Sequence, residues 1–290
     1  MSAVLPSTPC HLNGQILPLN QAQISVMDRG FIFGDGVYEV LSVYGGRIFR
    51  FAEHMARLER SLAEVRIHNP HDGAGWAALV NDLIAHPDTP AAPSHLIYIQ
   101  ITRGVAMREH TMIAGLKPTV FIMIQPMVEA SVAQRTEGVY CVSAEDFRWK
   151  KAHIKSTSLL GAVMSRQISA DAGAAETVMF RDGMLSEAAA SNIWVVKDNT
   201  VMGPVKDNLV LEGIRYGVLE RLCADLDLRY ALRPIARAEV FGADELLVTS
   251  ATKEVLPITR LDDQPIGNGK PGPVYQALYT AYQGLKQRDE

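Results

Sequence analysis

A lysine that precedes an apolar run is a candidate nucleophile in this chain. Lys155 lies just before Leu159–Ala162, a run that reads as the start of a helix. A lysine amine forms a Schiff base with a carbonyl compound where desolvation or a nearby cation lowers its pKa. Lys150 and Lys151 lie close by in the sequence and compete for that role. The assignment of Lys155 therefore needs support from other residues.

A glutamate and an arginine supply that support. Glu187 lies in Leu185–Asn192, a stretch rich in Ala and Ser, where small side chains let a flat ligand approach the backbone. A carboxylate in that position can hold a proton on a pyridine nitrogen. Arg57 lies in a predicted helix, and its guanidinium suits a phosphate group. Together with Lys155, these residues meet the chemical needs of pyridoxal 5′-phosphate.

Two further features suit the phosphate of that cofactor. A helix is predicted to begin within Glu212–Arg215, where the N–H groups of Ile214 and Arg215 would be available to an anion. Ser250 follows the apolar stretch Leu246–Thr249 and adds a hydroxyl group.

The segment Asp28–Glu39 contains three glycines and two aspartates among apolar residues. This composition predicts a conformationally demanding backbone, and by itself it favours an irregular hairpin. It is not a phosphate-binding G-x-G-x-x-G motif, because no strand is predicted before it and no helix after it.

Composition restricts the function classes. The chain has 290 residues, of which 48% are hydrophobic and 21% are charged, as in a globular protein. Its 28 basic and 32 acidic side chains give a formal net charge of −4. This balance provides no basic field for nucleic acid or for an anionic membrane. The ligands are therefore expected to be small molecules or other proteins.

Three widely spaced cysteines, Cys10, Cys141 and Cys223, show no spacing typical of a zinc site, and no metal is expected. The N-terminal residues lack the basic and apolar regions of a secretory signal, and the longest apolar stretches are far too short to span a bilayer. These features predict a cytoplasmic protein.

Turn signals and periodicity predict two α+β domains with the active site in the cleft between them. The N-terminal α+β domain covers residues 1–127, and a polar, aperiodic linker covers 128–137. Hairpins are predicted at Asn13-Gly14 and Gly45-Gly46. The other elements predicted for this domain are helices over 53–66 and 76–85 and strands over 95–102 and 119–125.

Residues 138–290 form the predicted C-terminal α/β domain, which carries the lysine. A hairpin around Asp182-Gly183 is predicted to pair 177–180 with 192–196. The other elements predicted here are strands over 138–143 and 245–249 and helices over 159–172, 214–224 and 274–286.

From Asn13 to about Leu261 the sequence resembles the fold-type IV pyridoxal-phosphate enzymes. This family includes branched-chain aminotransferases, D-amino acid aminotransferases and aminodeoxychorismate lyases, and the resemblance is strongest to the D-amino acid aminotransferases. The matching segments are Asp28–Val40, Arg148-Trp149, Ile154–Val163 and Val248–Ser250. The resemblance implies the two-domain α+β fold of this family, with the cofactor in the interdomain cleft.

The resemblance also implies a role for each candidate residue. Lys155 would be the Schiff-base lysine, and it would shuttle a proton to and from the substrate Cα. Glu187 would be the partner of the pyridine nitrogen, and Arg57 the main phosphate anchor. The N–H groups of Ile214 and Arg215 would complete the phosphate site with Ser250.

The loop Thr102–His110 ends in Arg108-Glu109-His110, as in the D-specific subgroup. By this resemblance Arg108 and His110 would reach across the interface of a homodimer and bind the substrate α-carboxylate together with Tyr38. A guanidinium binds a carboxylate bidentately, and two neutral donors fix its tilt.

The implied function is a ping-pong transamination from a D-amino acid such as D-alanine to a 2-oxo acid such as 2-oxoglutarate. A branched-chain L-aminotransferase and an aminodeoxychorismate lyase are the alternatives within the fold. A catalytically silent relative is the alternative outside enzymes, and the set Lys155, Glu187 and Arg57 argues against it.

Two positions depart from the family pattern. Arg215 stands where a threonine is usual, and Ala251 stands where a second hydroxyl is common. Backbone donors survive both changes, so cofactor binding is expected to persist. The sequence leaves open whether the Arg215 side chain contacts the phosphate or points to solvent.

Overall fold

The structure, a computed structural model, describes residues 5–288. Its contacts divide the chain into two units. The first unit extends up to Val128 and includes Ile154–Leu159, and the second comprises Glu129–His153 and the residues from Leu160 onward. The short segment that carries Lys155 therefore packs as part of the first unit.

The first unit contains a six-stranded antiparallel sheet with the order β2-β1-β6-β5-β3-β4. Its strands are β1 (Pro9–Leu12), β2 (Gln15–Pro18), β3 (Gly36–Tyr44), β4 (Arg47–Ile48), β5 (Ser94–Thr102) and β6 (Thr119–Pro126). Both predicted hairpins are confirmed. Asn13, Gly14, Gly45 and Gly46 all adopt the positive φ that tight two-residue turns require.

From residue 5 onward, this sheet is accompanied by the 3-10 turn Leu19–Gln21 and by the helices α1 (Arg29–Phe33), α2 (Phe51–Glu64) and α3 (Gly73–Ala85). The expectation of an irregular hairpin at Asp28–Glu39 was wrong, because the segment contains the short helix α1. Asp28 caps α1 by accepting a hydrogen bond from the Gly30 N–H at 2.8 Å, and Gly34 ends it at φ 66°. The glycines therefore end a short helix that leads directly into β3.

Alternation along β5 separates the core from the opposite face of the sheet. Ile97, Ile99 and Ile101 are fully buried and join a core to which α2 contributes Leu58 and Leu62. The residues between these isoleucines point to the opposite face, the one that also carries Tyr38.

The second unit contains a nine-stranded mixed sheet with the order β12-β11-β10-β13-β14-β7-β8-β9, in which β15 pairs with β14. Its strands are β7 (Val139–Glu145), β8 (Glu176–Arg181), β9 (Met184–Ala188), β10 (Asn192–Lys197), β11 (Thr200–Gly203), β12 (Arg229–Leu232), β13 (Glu245–Ser250), β14 (Glu254–Leu261) and β15 (Gln264–Pro265). The pairs β11·β12, β14·β7 and β7·β8 are parallel, and the others are antiparallel.

The predicted pairing of 177–180 with 192–196 was wrong. Across the Asp182-Gly183 turn β8 pairs with β9, a strand that was not predicted. A tight reversal follows β9, closed by a hydrogen bond from the Ala188 N–H to the Ser191 carbonyl at 2.7 Å. This reversal directs β10 away from β8, and β10 pairs with β11 and β13 instead.

The helices of the second unit are α4 (Val132–Thr136), α5 (Leu160–Asp171), α6 (Arg215–Asp225), α7 (Arg237–Phe241) and α8 (Pro273–Gln287). The short helix α4 lies in the stretch predicted as an aperiodic linker, and a capping box formed by Ser131 and Gln134 begins it. None of the helices within residues 5–288 has the length and apolar character needed to cross a membrane.

Candidate active site

The candidate nucleophile Lys155 lies beside the start of β3. The Tyr38 N–H donates to the Lys155 carbonyl at 3.0 Å, and the Thr157 N–H donates to the Gly36 carbonyl at 2.9 Å. These bonds pair the lysine segment with β3 through its main chain. The Lys155 Nζ atom then lies 4.1 Å from the centroid of the Tyr38 ring, within the range of a cation–π contact.

Glycines of the Asp28–Glu39 motif make room for this pairing. A Cβ atom on Gly36 would lie 2.7 Å from the Ile101 carbonyl oxygen and 3.2 Å from Thr157 Oγ1. A Cβ atom on Gly34 would lie 2.8 Å from Ser158 Oγ, and the positive φ of Gly34 also favours glycine. The motif therefore allows the close packing that positions the Lys155 segment.

Tyr38 lies among polar neighbours on the face of the sheet opposite the core. It is directly opposite Gln100 in the β3·β5 ladder, and its ring centroid lies 5.6 Å from that of Tyr98. The Tyr98 hydroxyl donates to Gln100 Oε1 at 2.7 Å. Burial, aided by Tyr38, raises the pKa of Tyr98 to about 12, so Tyr98 stays neutral at physiological pH.

The candidate phosphate anchor Arg57 is held by a buried carboxylate. Arg57 Nε donates to Glu39 Oε1 at 2.7 Å and Nη2 donates to Oε2 at 2.8 Å, while His54 Nδ1 lies 2.7 Å from Oε2. Burial would raise the pKa of Glu39, but the charge and hydrogen bonds of Arg57 and His54 outweigh burial and hold that pKa well below its usual range. Glu39 is therefore ionised and fixes the direction of the Arg57 side chain.

Arg108 and His110 lie together on the exposed connection between β5 and β6. Both contact the ring of Phe33 in α1. The Arg108 Cζ atom lies 5.4 Å from the ring centroid, and the centroid of the His110 ring also lies 5.4 Å from it. Within residues 5–288 of one chain, no hydrogen bond, ion pair or ring contact joins Tyr38 to Arg108 or His110. The structure thus brings two of the three predicted carboxylate-binding residues together and leaves the third apart.

Glu187 lies on β9 of the second unit, and both of its oxygens accept hydrogen bonds. Arg148 Nη1 donates to Oε1 at 2.8 Å, while Asn192 Nδ2 and the Leu211 N–H each donate to Oε2 at 3.1 Å. Burial raises the pKa of Glu187 to about 7, although the charge of Arg148 opposes this rise. A carboxyl group poised in this way can accept or retain a proton near neutral pH.

A second carboxylate holds Arg148 in turn. Arg148 Nε and Nη2 donate to the two oxygens of Asp146, each at 2.9 Å. Arg181 also pairs with Asp146, at 3.1 Å. Hydrogen bonds from Arg148 to Asp146 and to Glu187 therefore fix the guanidinium beside Glu187, the candidate partner of the pyridine nitrogen.

Asn192 connects Glu187 to the loop that precedes α6. Its Nδ2 atom donates both to Glu187 and to the Leu211 carbonyl, the latter at 2.9 Å. A Cβ atom on Gly213 would lie 2.1 Å from Asn192 Oδ1, so the close approach of this loop requires glycine. The start of α6 is thereby fixed relative to Glu187.

The other residues predicted to bind phosphate, Ile214, Arg215 and Ser250, lie at the start of α6 and the end of β13. Ile214 is the N-cap of α6, and no side chain among the described residues caps this helix start. Ser250 Oγ accepts a hydrogen bond from the Lys253 N–H at 3.1 Å. Arg215 is 3% exposed and donates to the Ala251 carbonyl at 3.4 Å, so its side chain does not point to solvent.

Several site residues were not predicted from the sequence. Glu39, His54 and Asp146 hold predicted residues in place, and Arg148 was noted only as part of a matching segment. A signal was present for Glu39, because a carboxylate inside the apolar strand Val37–Tyr44 is stable only when it is paired.

The donor set fits pyridoxal 5′-phosphate. Glu187 of the second unit is a buried carboxylate suited to a pyridine nitrogen, and the start of α6, which no described side chain caps, provides N–H groups suited to an anion. Arg57 of the first unit is a buried cation of the type that binds phosphate. Among the residues that the structure describes, no group of three or more His, Cys, Asp or Glu side chains could hold a metal ion.

Comparison with known proteins agrees with this donor set. The model of the family described as amino-transferase class IV matches residues 36–261. The D-alanine aminotransferase of Bacillus licheniformis is 36% identical over 271 residues, which are 93% of this chain and 94% of that protein. The D-alanine aminotransferase of Staphylococcus haemolyticus is 30% identical over 275 residues, 95% of this chain and 96% of that protein.

A solved structure agrees on the fold. A branched-chain amino acid aminotransferase from T.th., solved with pyridoxamine 5′-phosphate, superposes with a TM-score of 0.91 at 20% identity, covering 98% of this chain and 96% of the other. The predicted fold is thereby confirmed. Since the family model matches most of the chain and relatives match at 30% identity or more over nearly its whole length, this chain belongs to the class IV aminotransferases, the fold-type IV enzymes that use pyridoxal 5′-phosphate.

Proposed function

We propose that this enzyme transfers the amino group of a D-amino acid such as D-alanine to a 2-oxo acid such as 2-oxoglutarate. The observation that carries the proposal is the pairing of the Lys155 segment with β3, which places the amine 4.1 Å from the Tyr38 ring centroid. A proton-transferring amine and a candidate carboxylate-binding hydroxyl thus belong to one rigid pair of segments. The similarity to two D-alanine aminotransferases supports the D-specific assignment.

The proposed roles of the cofactor-binding residues follow from their chemistry. When bound, pyridoxal 5′-phosphate supplies a carbonyl carbon that accepts amines and a ring that withdraws electrons from the substrate Cα. Glu187 binds the ring nitrogen and retains a proton there. Arg57 binds the phosphate, together with Ser250 and the N–H groups of Ile214 and Arg215.

Lys155 is the proposed catalytic base and acid. With the cofactor bound, its amine would hold the cofactor in the resting enzyme and, once released by the substrate, would take and return the proton of the substrate Cα. Tyr38 lies beneath the amine and excludes water from one side of it. The reaction is ping-pong, because the first 2-oxo acid leaves before the second one binds.

The substrate carboxylate is proposed to be bound by Tyr38 of one protomer and by Arg108 and His110 of its partner. Two observations support this arrangement. Arg108 makes no ion pair within residues 5–288, so its guanidinium is available to a carboxylate. Tyr38 has no contact with Arg108 or His110 in its own chain, as expected if the partner supplies them.

An apolar face on α5 supports a homodimer. Leu160, Val163, Met164 and Ile168 are all exposed, and their spacing places them along one side of the helix. Phe147 and Trp149 of the same unit are exposed as well. An exposed apolar helix face on a single chain is typical of a protein interface.

A cytoplasmic location is also proposed. The thiols of Cys10, Cys141 and Cys223 are free and buried, a state that a reducing compartment maintains.

The visible spectrum of the enzyme with bound cofactor tests the proposed function. We expect an absorption band from the lysine-linked cofactor, and we expect D-alanine to remove this band when no 2-oxo acid is present. L-leucine should leave the band unchanged. Lys155→Ala should not form the band, although it should still bind the cofactor noncovalently.

The other outcomes are distinct. Loss of the band with L-leucine alone would retain Lys155 and Glu187 but favour a branched-chain L-aminotransferase. A protein without the band after addition of the cofactor would favour a catalytically silent relative.

A further inference from the structure

The loop that carries Arg108 and His110 is bound to α1 by its main chain. The Arg29 N–H donates to the Gly104 carbonyl at 2.9 Å, and Val105 forms an isolated bridge with Asp28. Arg29 Nη1 donates to the Glu109 carbonyl, which lies between the two candidate carboxylate-binding residues. Both ends of the loop are therefore held by α1 and the residue before it.

Arg29 is itself held in place by a partly buried carboxylate. Arg29 Nε donates to Asp35 Oδ2 at 2.7 Å, and Arg103 donates to both oxygens of Asp35 at 2.7 and 3.0 Å. Arg29 and Arg103 are almost fully buried. Asp35 thus connects α1, through Arg29, to the end of β5, where the loop begins.

The aromatic ring of Phe33 lies where three side chains of this region meet. The Arg29 Cζ atom is 4.8 Å from its centroid, the Arg108 Cζ atom is 5.4 Å away, and the His110 ring centroid is 5.4 Å away at an interplanar angle of 51°. The Arg108 guanidinium thus packs against this ring instead of extending freely into solvent. Arg108 and His110 are otherwise exposed, and both contact this one ring.

We infer that Phe33 is a positioning residue for the substrate α-carboxylate. Its ring holds Arg108 and His110 side by side before the substrate binds, while Arg29 fixes the main chain between them. The inference rests on the proposed function, in which Arg108 and His110 bind that carboxylate. Side chains ordered in advance lose less conformational entropy when they bind a ligand.

Steady-state kinetics with D-alanine tests this inference. We expect Phe33→Leu to raise the KM for D-alanine about tenfold, in line with the loss of two ring contacts, and to leave kcat within about twofold. Phe33→Tyr retains the ring and should restore the KM. Phe31→Leu is the matched control, because Phe31 lies on the same helix and is 69% exposed.

A second measurement separates positioning from general stability. Propionate carries the carboxylate of D-alanine without its amino group, and its Kd can be measured from its effect on the absorbance of the bound cofactor. Phe33→Leu should raise this Kd by about the same factor as the KM, while the melting temperature and cofactor content stay close to those of Phe31→Leu. In an Arg108→Leu background, Phe33→Leu should have a much smaller effect.

Two results would overturn the inference in different ways. If Arg108→Leu raises the KM for D-alanine and Phe33→Leu does not, Phe33 has no positioning role and the proposed carboxylate site stands. If Arg108→Leu itself leaves the KM unchanged, the carboxylate assignment fails, and the role of Phe33 fails with it.

Discussion

Glu187 depends on Arg148 for its charge. Burial alone favours the neutral carboxyl group, and the guanidinium 2.8 Å away is the main opposing influence. With both present, the pKa of Glu187 is about 7. A proton on a pyridine nitrogen is retained best beside an ionised carboxylate, so the proposed role of Glu187 depends on Arg148.

This dependence predicts a specific pH effect. Arg148→Met removes the cation that lowers the pKa of Glu187, so the carboxyl group stays protonated to a higher pH. We expect kcat near pH 7 to fall at least about tenfold, and to recover partly as the pH rises through the new pKa. Arg148→Lys keeps the charge and should show a smaller shift. The measurement is kcat as a function of pH, and an acid limb identical to that of the unmodified enzyme would contradict the prediction.

At the residue scale, the sequence predicts candidates for the groups that react but not for the groups that contact them. Lys155, Glu187 and Arg57 have the residue types that the cofactor requires, so they could be proposed from the sequence, and their roles remain predictions. Asp146 and Phe33 are candidates only through their contacts with other side chains, and those contacts depend on how the chain folds. No local pattern marks them.

At the element scale, the pairing of the lysine segment with β3 depends on Gly36. Gly36→Ala would place a Cβ atom 2.7 Å from the Ile101 carbonyl oxygen of β5 and 3.2 Å from Thr157 Oγ1 of the lysine segment, so β3 must shift relative to these neighbours. We expect a loss of about 1–3 kcal/mol of stability and a marked fall in kcat, because a shift of β3 disturbs its hydrogen bonds to the segment that carries Lys155.

Gly73→Ala is the control for this prediction. Gly73 is the first residue of α3, and nothing lies within 4 Å of the Cβ atom that it would acquire. Thermal unfolding and kcat should both stay close to those of the unmodified enzyme. Equal stability and equal kcat for Gly36→Ala would show that the segment tolerates the shift.

The sequence predicted those elements that depend on neighbouring residues alone. The hairpins at Asn13-Gly14 and Gly45-Gly46 follow from turn residues, and α2 follows from its apolar spacing. The predicted pairing of β10 with β8 was wrong. A turn signal shows where the chain reverses, but it gives no information about pairing with a strand as distant in the sequence as β13. The strand β14 was missed, since Pro257 interrupts its pattern.

At the scale of the whole molecule, the proposed site needs two chains. A hybrid dimer tests this requirement. Lys155→Ala subunits lack the amine but retain Arg108 and His110. Arg108→Leu subunits retain the amine of Lys155 but lack the guanidinium. If the partner supplies Arg108, each hybrid dimer contains one complete site, and random mixing should restore roughly a quarter of full activity.

The measurement is transamination of D-alanine after the two variants are co-expressed or mixed and allowed to exchange subunits. Each variant alone provides the baseline. Activity no greater than the sum of the two baselines would place Arg108 in the same site as the Lys155 of its own chain.

The return of Ile154–Leu159 to the first unit has a consequence for the order of synthesis. The ribosome completes the strands β1–β6 before it makes Lys155, yet the Gly36 carbonyl and the Tyr38 N–H have hydrogen-bond partners in this later segment. The first unit therefore cannot reach its final state until the nascent chain has extended well into the second. A chain cut off before Ile154 would contain the whole first sheet and still lack Lys155, the proposed catalytic amine.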